Sequence, residues 1–105
     1  MSHLPPRIRV LTHRQAWPWR WEMALLECGC RDGWLLPEVC VLAERARALG
    51  EELRRGEGPA ALAFEGYTLV GACWRSPAAV YVMPAQRASG LPHRLQEALT
   101  APATA

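Results

Sequence analysis

The chain has 105 residues, half of them hydrophobic and 21% charged, a balance that specifies one folded domain rather than a disordered or fibrous chain. All 12 Lys+Arg positions are Arg, Asn is absent and Asp32 is the only Asp. This excludes a lysine Schiff base, a P-loop, an N-glycosylation sequon, an Asp–Asp dyad and an EF-hand loop. The net charge of +2 does not by itself point to nucleic acid, and no run reaches the roughly 18 apolar residues of a membrane helix.

In chain order, residues 1–6 end in Pro5-Pro6 and read as a flexible arm. Arg7-Ile8-Arg9-Val10-Leu11-Thr12 alternates charged and apolar positions, which predicts a strand, with His13 to Gln15 as its connection. Residues 17–28 fit two templates. As a strand, Trp17, Trp19, Trp21, Met23 and Leu25 share a face. As a helix, Trp17, Trp21, Ala24, Leu25 and Cys28 form one stripe, with Arg20, Glu27 and Arg31 on the other side and Trp19 pushed toward solvent. The helix formers of 22–27 favour the helix, with Pro18 at its start and Gly29 as its C-terminal cap. Cys30-Arg31-Asp32-Gly33 then reads as a turn.

Pro37 and Glu38 mark the start of a second helix, with Val39, Leu42, Ala46, Leu49 and Leu53 as its inward stripe. Gly50 within it predicts close packing against a neighbour, and Gly56-Glu57-Gly58-Pro59 ends it. Three apolar runs follow, 60–64, 67–74 and 78–83, separated by Glu65-Gly66 and Arg75-Ser76-Pro77. They predict a short antiparallel meander whose last strand, limited by Pro84, lies at an edge. Residues 91–99 can form one or two helical turns in a C-terminal tail. The expected architecture is α+β: an arm over 1–6, a single domain over 7–84 with the central helices packed on one sheet face, and a partly ordered tail over 85–105.

No H-E-x-x-H, G-x-S-x-G or G-x-G-x-x-G motif is present. His3, His13 and His93 are scattered, and Glu22 and Glu27 do not share a helix face, so no catalytic residue is assigned and the chain reads as non-enzymatic. Four of the five Trp fall within 17–34, interleaved with Arg. Trp and Arg dominate binding hot spots, so Trp17, Trp19, Trp21, Arg20 and Trp34 are the candidate contact residues for a protein partner. The same residue types build stacking platforms for single-stranded nucleic acid, which is the alternative reading. Cys28, Cys30, Cys40 and Cys73 number enough for a zinc site but lack paired C-x₂₋₄-C knuckles. The zinc-stabilised module is therefore a second alternative, and the primary expectation is no cofactor. The pattern implies no membrane partner and is compatible with homo-oligomerisation. The shortage of Lys, Asn, Ile and Phe fits GC-rich coding, as in a GC-rich bacterium or its phage. The first residues lack the apolar stretch of a secretory signal, so a cytoplasmic setting with reduced thiols is the expectation.

Overall fold

The computed structural model describes residues 5–34 and 38–101. The expectations for the first four residues, for Pro37 as a helix start and for the last four residues lie outside these. The elements run β1 (Arg7–Thr12), a single helical turn α1 (His13–Ala16), a 3₁₀ turn (Trp17–Trp19), α2 (Arg20–Asp32), α3 (Val39–Arg55), β2 (Pro59–Glu65), β3 (Thr68–Cys73), β4 (Val80–Val82), a 3₁₀ turn (Pro84–Gln86) and α4 (Leu91–Thr100). The strands form one antiparallel sheet in the order β1-β2-β3-β4, so β4 is an edge as expected, and β1 is the other. The α+β class read from the sequence is the one observed.

Local chemistry sets the first corner. Thr12 accepts a hydrogen bond from the Gln15 backbone N–H at 3.1 Å, and Gln15 Oε1 accepts from the Thr12 N–H at 3.0 Å. This reciprocal capping box turns the strand directly into α1, where the sequence reading had only a connection. Pro18 supplies the preset φ of the 3₁₀ turn, and α2 begins after it.

The segment 17–28 is therefore helical, but its buried stripe is rotated from the expected one. Met23, Ala24, Leu26, Glu27 and Cys28 are buried, Leu25 is half-buried and Trp21 is exposed. Gly29 is not the cap. It lies inside α2, where a Cβ would come within 2.4 Å of the Trp34 ring, and Gly33 at φ +91° ends the helix instead. The expected turn over 30–33 is helical through Asp32 for that reason. In α3, Ala46, Leu49 and Leu53 are buried and Leu42 is half-buried, as expected. Val39 is 78% exposed, because no described residue covers the first turn of α3. Gly50 fulfils its predicted role: a Cβ there would meet Arg20 Cδ at 3.0 Å and Trp17 Nε1 at 3.1 Å.

Helices cover both sheet faces. On one, α2 and α3 pack Met23, Leu26, Leu49 and Leu53 against Ala60, Leu62, Phe64 and Leu69. On the other, Leu91 and Leu95 of α4 are fully buried against Ala61, Ala63, Cys73 and Val82. Residues 91–100, expected as a turn or two, are a ten-residue helix. Gly71 lets it approach, since a Cβ there would lie 2.9 Å from Leu95 Cδ1. The β2–β3 register slips by one residue at Val70, a bulge whose carbonyl accepts from Met83 N–H at 2.9 Å.

Leu53→Ala should lower the unfolding free energy by about 2–5 kcal/mol in urea denaturation, while Val39→Ala should change it by less than about 0.5 kcal/mol. Similar losses at both positions would contradict the observed orientation of α3.

Candidate functional site

The Trp-rich segment is divided over the surface rather than gathered on one face. Trp17 is half-buried against Gly50, with the Arg20 guanidinium carbon 3.5 Å from its ring centroid and that of Arg54 at 5.4 Å. Arg20 also donates to the Trp17 carbonyl at 3.3 Å. This Arg-on-indole stack uses up one face of Trp17. Trp21, 40% exposed, sits beside it over a cleft of about 250 Å³ that Arg47, Glu51 and Arg54 also line.

Trp19 points elsewhere. It is half-buried, not free in solvent, because its ring packs edge-on against Phe64 with centroids 5.4 Å apart. It lines two clefts. One, about 330 Å³, is lined by Arg7, Arg9, Trp19, Phe64, Gly66 and Tyr67. The other, about 300 Å³, is lined by Trp19, Glu22, Leu25, Leu26, Tyr67 and Met83 among others. Tyr67, at the β2–β3 turn, is fully exposed. Sequence reading missed it because it treated residues 67–74 as one strand. The Glu65-Gly66 turn signal, extended by one residue, would have placed it at the tip. Trp34 is half-buried against Gly29, and its Nε1 has no partner among the described residues.

A second polar centre lies where the helices meet the sheet. Glu27 of α2, expected on the solvent side, is 5% exposed. Its carboxylate is drawn inward by Arg75, whose Nη1 donates to Glu27 Oε2. The same guanidinium grips Glu52 of α3 in a two-point bond, Nε to Oε2 and Nη2 to Oε1, both at 2.8 Å. Trp74 Nε1 adds a bond to Glu52 Oε2 at 3.1 Å, and Tyr81 OH contacts both Arg75 Nη1 (3.2 Å) and Glu27 Oε2 (3.4 Å). Burial would raise the Glu52 pKa, but the hydrogen bonds and charge of Arg75, with the Trp74 bond, lower it overall. The bond to Glu52, with that to Glu27, in turn raises the Arg75 pKa. Arg75 thus holds both carboxylates and joins α2 and α3 to the end of β3. His13 is buried beside it. Its Nε2 donates to the Trp74 carbonyl at 3.1 Å, and its Nδ1, lying over Gly56, has no partner among the described residues.

The structure does not gather the four cysteines. Cys28 is buried on α2, Cys40 is exposed on α3 and Cys73 is buried on the α4 side of the sheet. Cys30 donates to the Val82 carbonyl at 3.4 Å. Among the described residues no three His, Cys, Asp or Glu side chains are close enough to share a metal ion. The Cys28, Cys30, Cys40 and Cys73 zinc set is thus corrected: three elements carry these thiols to separate places. Burial pushes the Cys28 thiol up, and that of Cys73 to about 11. No helix among the described residues is long and apolar enough to cross a membrane.

The folded pKa of Glu52 lies below its ordinary value of 4.5, so its ion pair stabilises fully above that pH. That stabilisation is lost as pH falls through the lowered folded value. Chemical denaturation should therefore show stability dropping below about pH 4.5, with a shallower drop in Glu52→Gln. Arg75→Met, which strands Glu27, should cost roughly 2–3 kcal/mol at neutral pH, less than for a fully buried pair because water reaches Arg75. Adding Glu27→Gln should recover part of it; no recovery would argue against the pairing. Thiol alkylation followed by mass spectrometry should modify Cys40 first, and Cys28 and Cys73 only on unfolding.

No protein-family model, curated protein or solved structure matches this chain.

Proposed function

We propose that this chain is a small non-enzymatic interaction protein that recognises a protein partner through its aromatic and arginine surface. One observation carries the reading: the core leaves aromatic area unburied. Trp21 is 40% exposed, Tyr67 is fully exposed, and Trp19 lines two clefts, one of which Arg7 and Arg9 also line. A domain with a single Phe and two Tyr has reason to bury every aromatic it has. Keeping three at the surface beside Arg is the composition of a binding hot spot. Trp17 and Trp34, from the same segment, are half-buried against the core. In keeping with the absence of recognised catalytic motifs, the role is regulatory or adaptor-like. The coding bias supports a GC-rich bacterial or phage source, and the reduced-thiol pattern supports a cytoplasmic setting.

The test is affinity capture from the source cells with the wild type, Trp21→Ala and Tyr67→Ala as paired baits, alongside thermal melts. Each substitution should shift stability by less than about 0.5 kcal/mol and deplete the same captured protein at least severalfold. Capture indifferent to both substitutions overturns the reading. Capture abolished by nuclease, with a steep salt dependence, replaces the protein partner by nucleic acid.

A further inference from the structure

The two edges of the sheet differ. β4 has only three residues and runs into Pro84, which keeps that edge short. β1 has six residues, no proline, and pairs with β2 over its whole length without a bulge. No described strand pairs with its outer side. An antiparallel edge strand turns the N–H and C=O of every second residue away from its neighbour. Such a row is a template for another extended chain unless it is blunted.

The side chains of β1 define what that chain would be. Arg7, Arg9 and Leu11 share the face that looks toward Trp19 and Phe64, because they pair with Phe64, Leu62 and Ala60. Arg7 and Arg9 are exposed and line the Trp19–Tyr67 cleft. Among the described residues no carboxylate forms an ion pair with either. On the opposite face Val10 is 53% exposed beside half-buried Ile8. Two unpaired cations alternate with apolar side chains along an open backbone edge. Directly opposed cross-strand pairs favour opposite charge and matched apolar partners. A nucleic acid could meet the cations but has no alternating amide ladder to match the edge.

We propose that the outer edge of β1 is a docking strand for an extended acidic segment of the protein partner. The segment adds a fifth strand to the sheet, with carboxylates against Arg7 and Arg9 and an apolar side chain over Val10. This rests on the protein-binding reading above and specifies how the partner is held. The recognition mode is strand addition, in which main-chain pairing supplies affinity and alternate side chains supply specificity. An occupant of about six residues spans the roughly 20 Å of β1.

The experiment uses the full-length ¹⁵N-labelled protein and a capped hexapeptide alternating Glu and Val. Amide shifts and slowed exchange should concentrate on residues 7–12. The same peptide N-methylated at alternate residues should lose binding in one of the two methylation registers and keep it in the other. Arg7→Glu with Arg9→Glu should weaken binding roughly tenfold, and a Lys–Val peptide should regain it on that variant, which shows the variant is folded. Equal binding by both methylated peptides, or shifts confined to the Trp17–Trp21 cleft, overturns the proposal. So does tighter binding by oligothymidylate, or self-association through β1 in sedimentation. Capture of a native partner that depends on Tyr67 but ignores the charge reversal overturns edge docking and leaves the protein-binding reading standing.

Discussion

β2 and β3 are buried on both faces over nearly their whole length, and the other elements answer to that fact. An antiparallel sheet can leave one face in water, and these two strands do not. Their sequences, Ala60 to Phe64 and Leu69 to Cys73, carry no charge and mostly small side chains. Small residues let helices approach closely but shield little backbone themselves. The α2–α3 pair must lie on one side and α4 on the other, and Gly71 provides the clearance for Leu91 and Leu95. Without α4, Ala61, Ala63 and Cys73 would face solvent.

Burying so much sheet also fixes where charge can go. Arg75 leaves the end of β3 at the junction of both central helices, and its guanidinium takes Glu27 from one and Glu52 from the other. A buried carboxylate such as Glu27 is tolerable only with that partner in place. The clasp sets the relative positions of α2, α3 and the β3–β4 corner, where Trp74 and Tyr81 rings lie 5.1 Å apart. Arg75, Glu27 and Glu52 satisfy one another's charge and tie both central helices to the end of β3.

At the opposite end of the strands, Arg7 and Arg9 of β1 remain exposed beside Trp19. Trp19, Phe64 and Tyr67 line one cleft with Arg7 and Arg9. The sequence marked the Trp segment as unusual, and the fold sorts its members by what lies opposite each one. Gly50 accommodates Trp17, Gly29 accommodates Trp34, and Trp21 stays 40% exposed. Exposure is a property of the neighbour, so periodicity within the segment could not supply it.

What the sequence determined by itself was everything carried by local pattern. The alternation of residues 7–12 gave β1, the i, i+3, i+7 stripe gave the orientation of Ala46, Leu49 and Leu53, and the runs after Pro59 with their Gly and Pro breaks gave the meander. Its missing Lys and Asn also excluded whole classes of catalyst. Tertiary structure alone decided the rotation of α2, the burial of Glu27, the cover provided by α4 and the scattering of the thiols. Each depends on residues from another element: Arg75 lies 48 residues from Glu27 and Val82 lies 52 from Cys30, Gly71 faces Leu91 and Leu95 of α4, and Cys28 and Cys73 sit on separate elements. A side chain's periodicity is written in its neighbours along the chain, but its ion pair and its exposure are written in space.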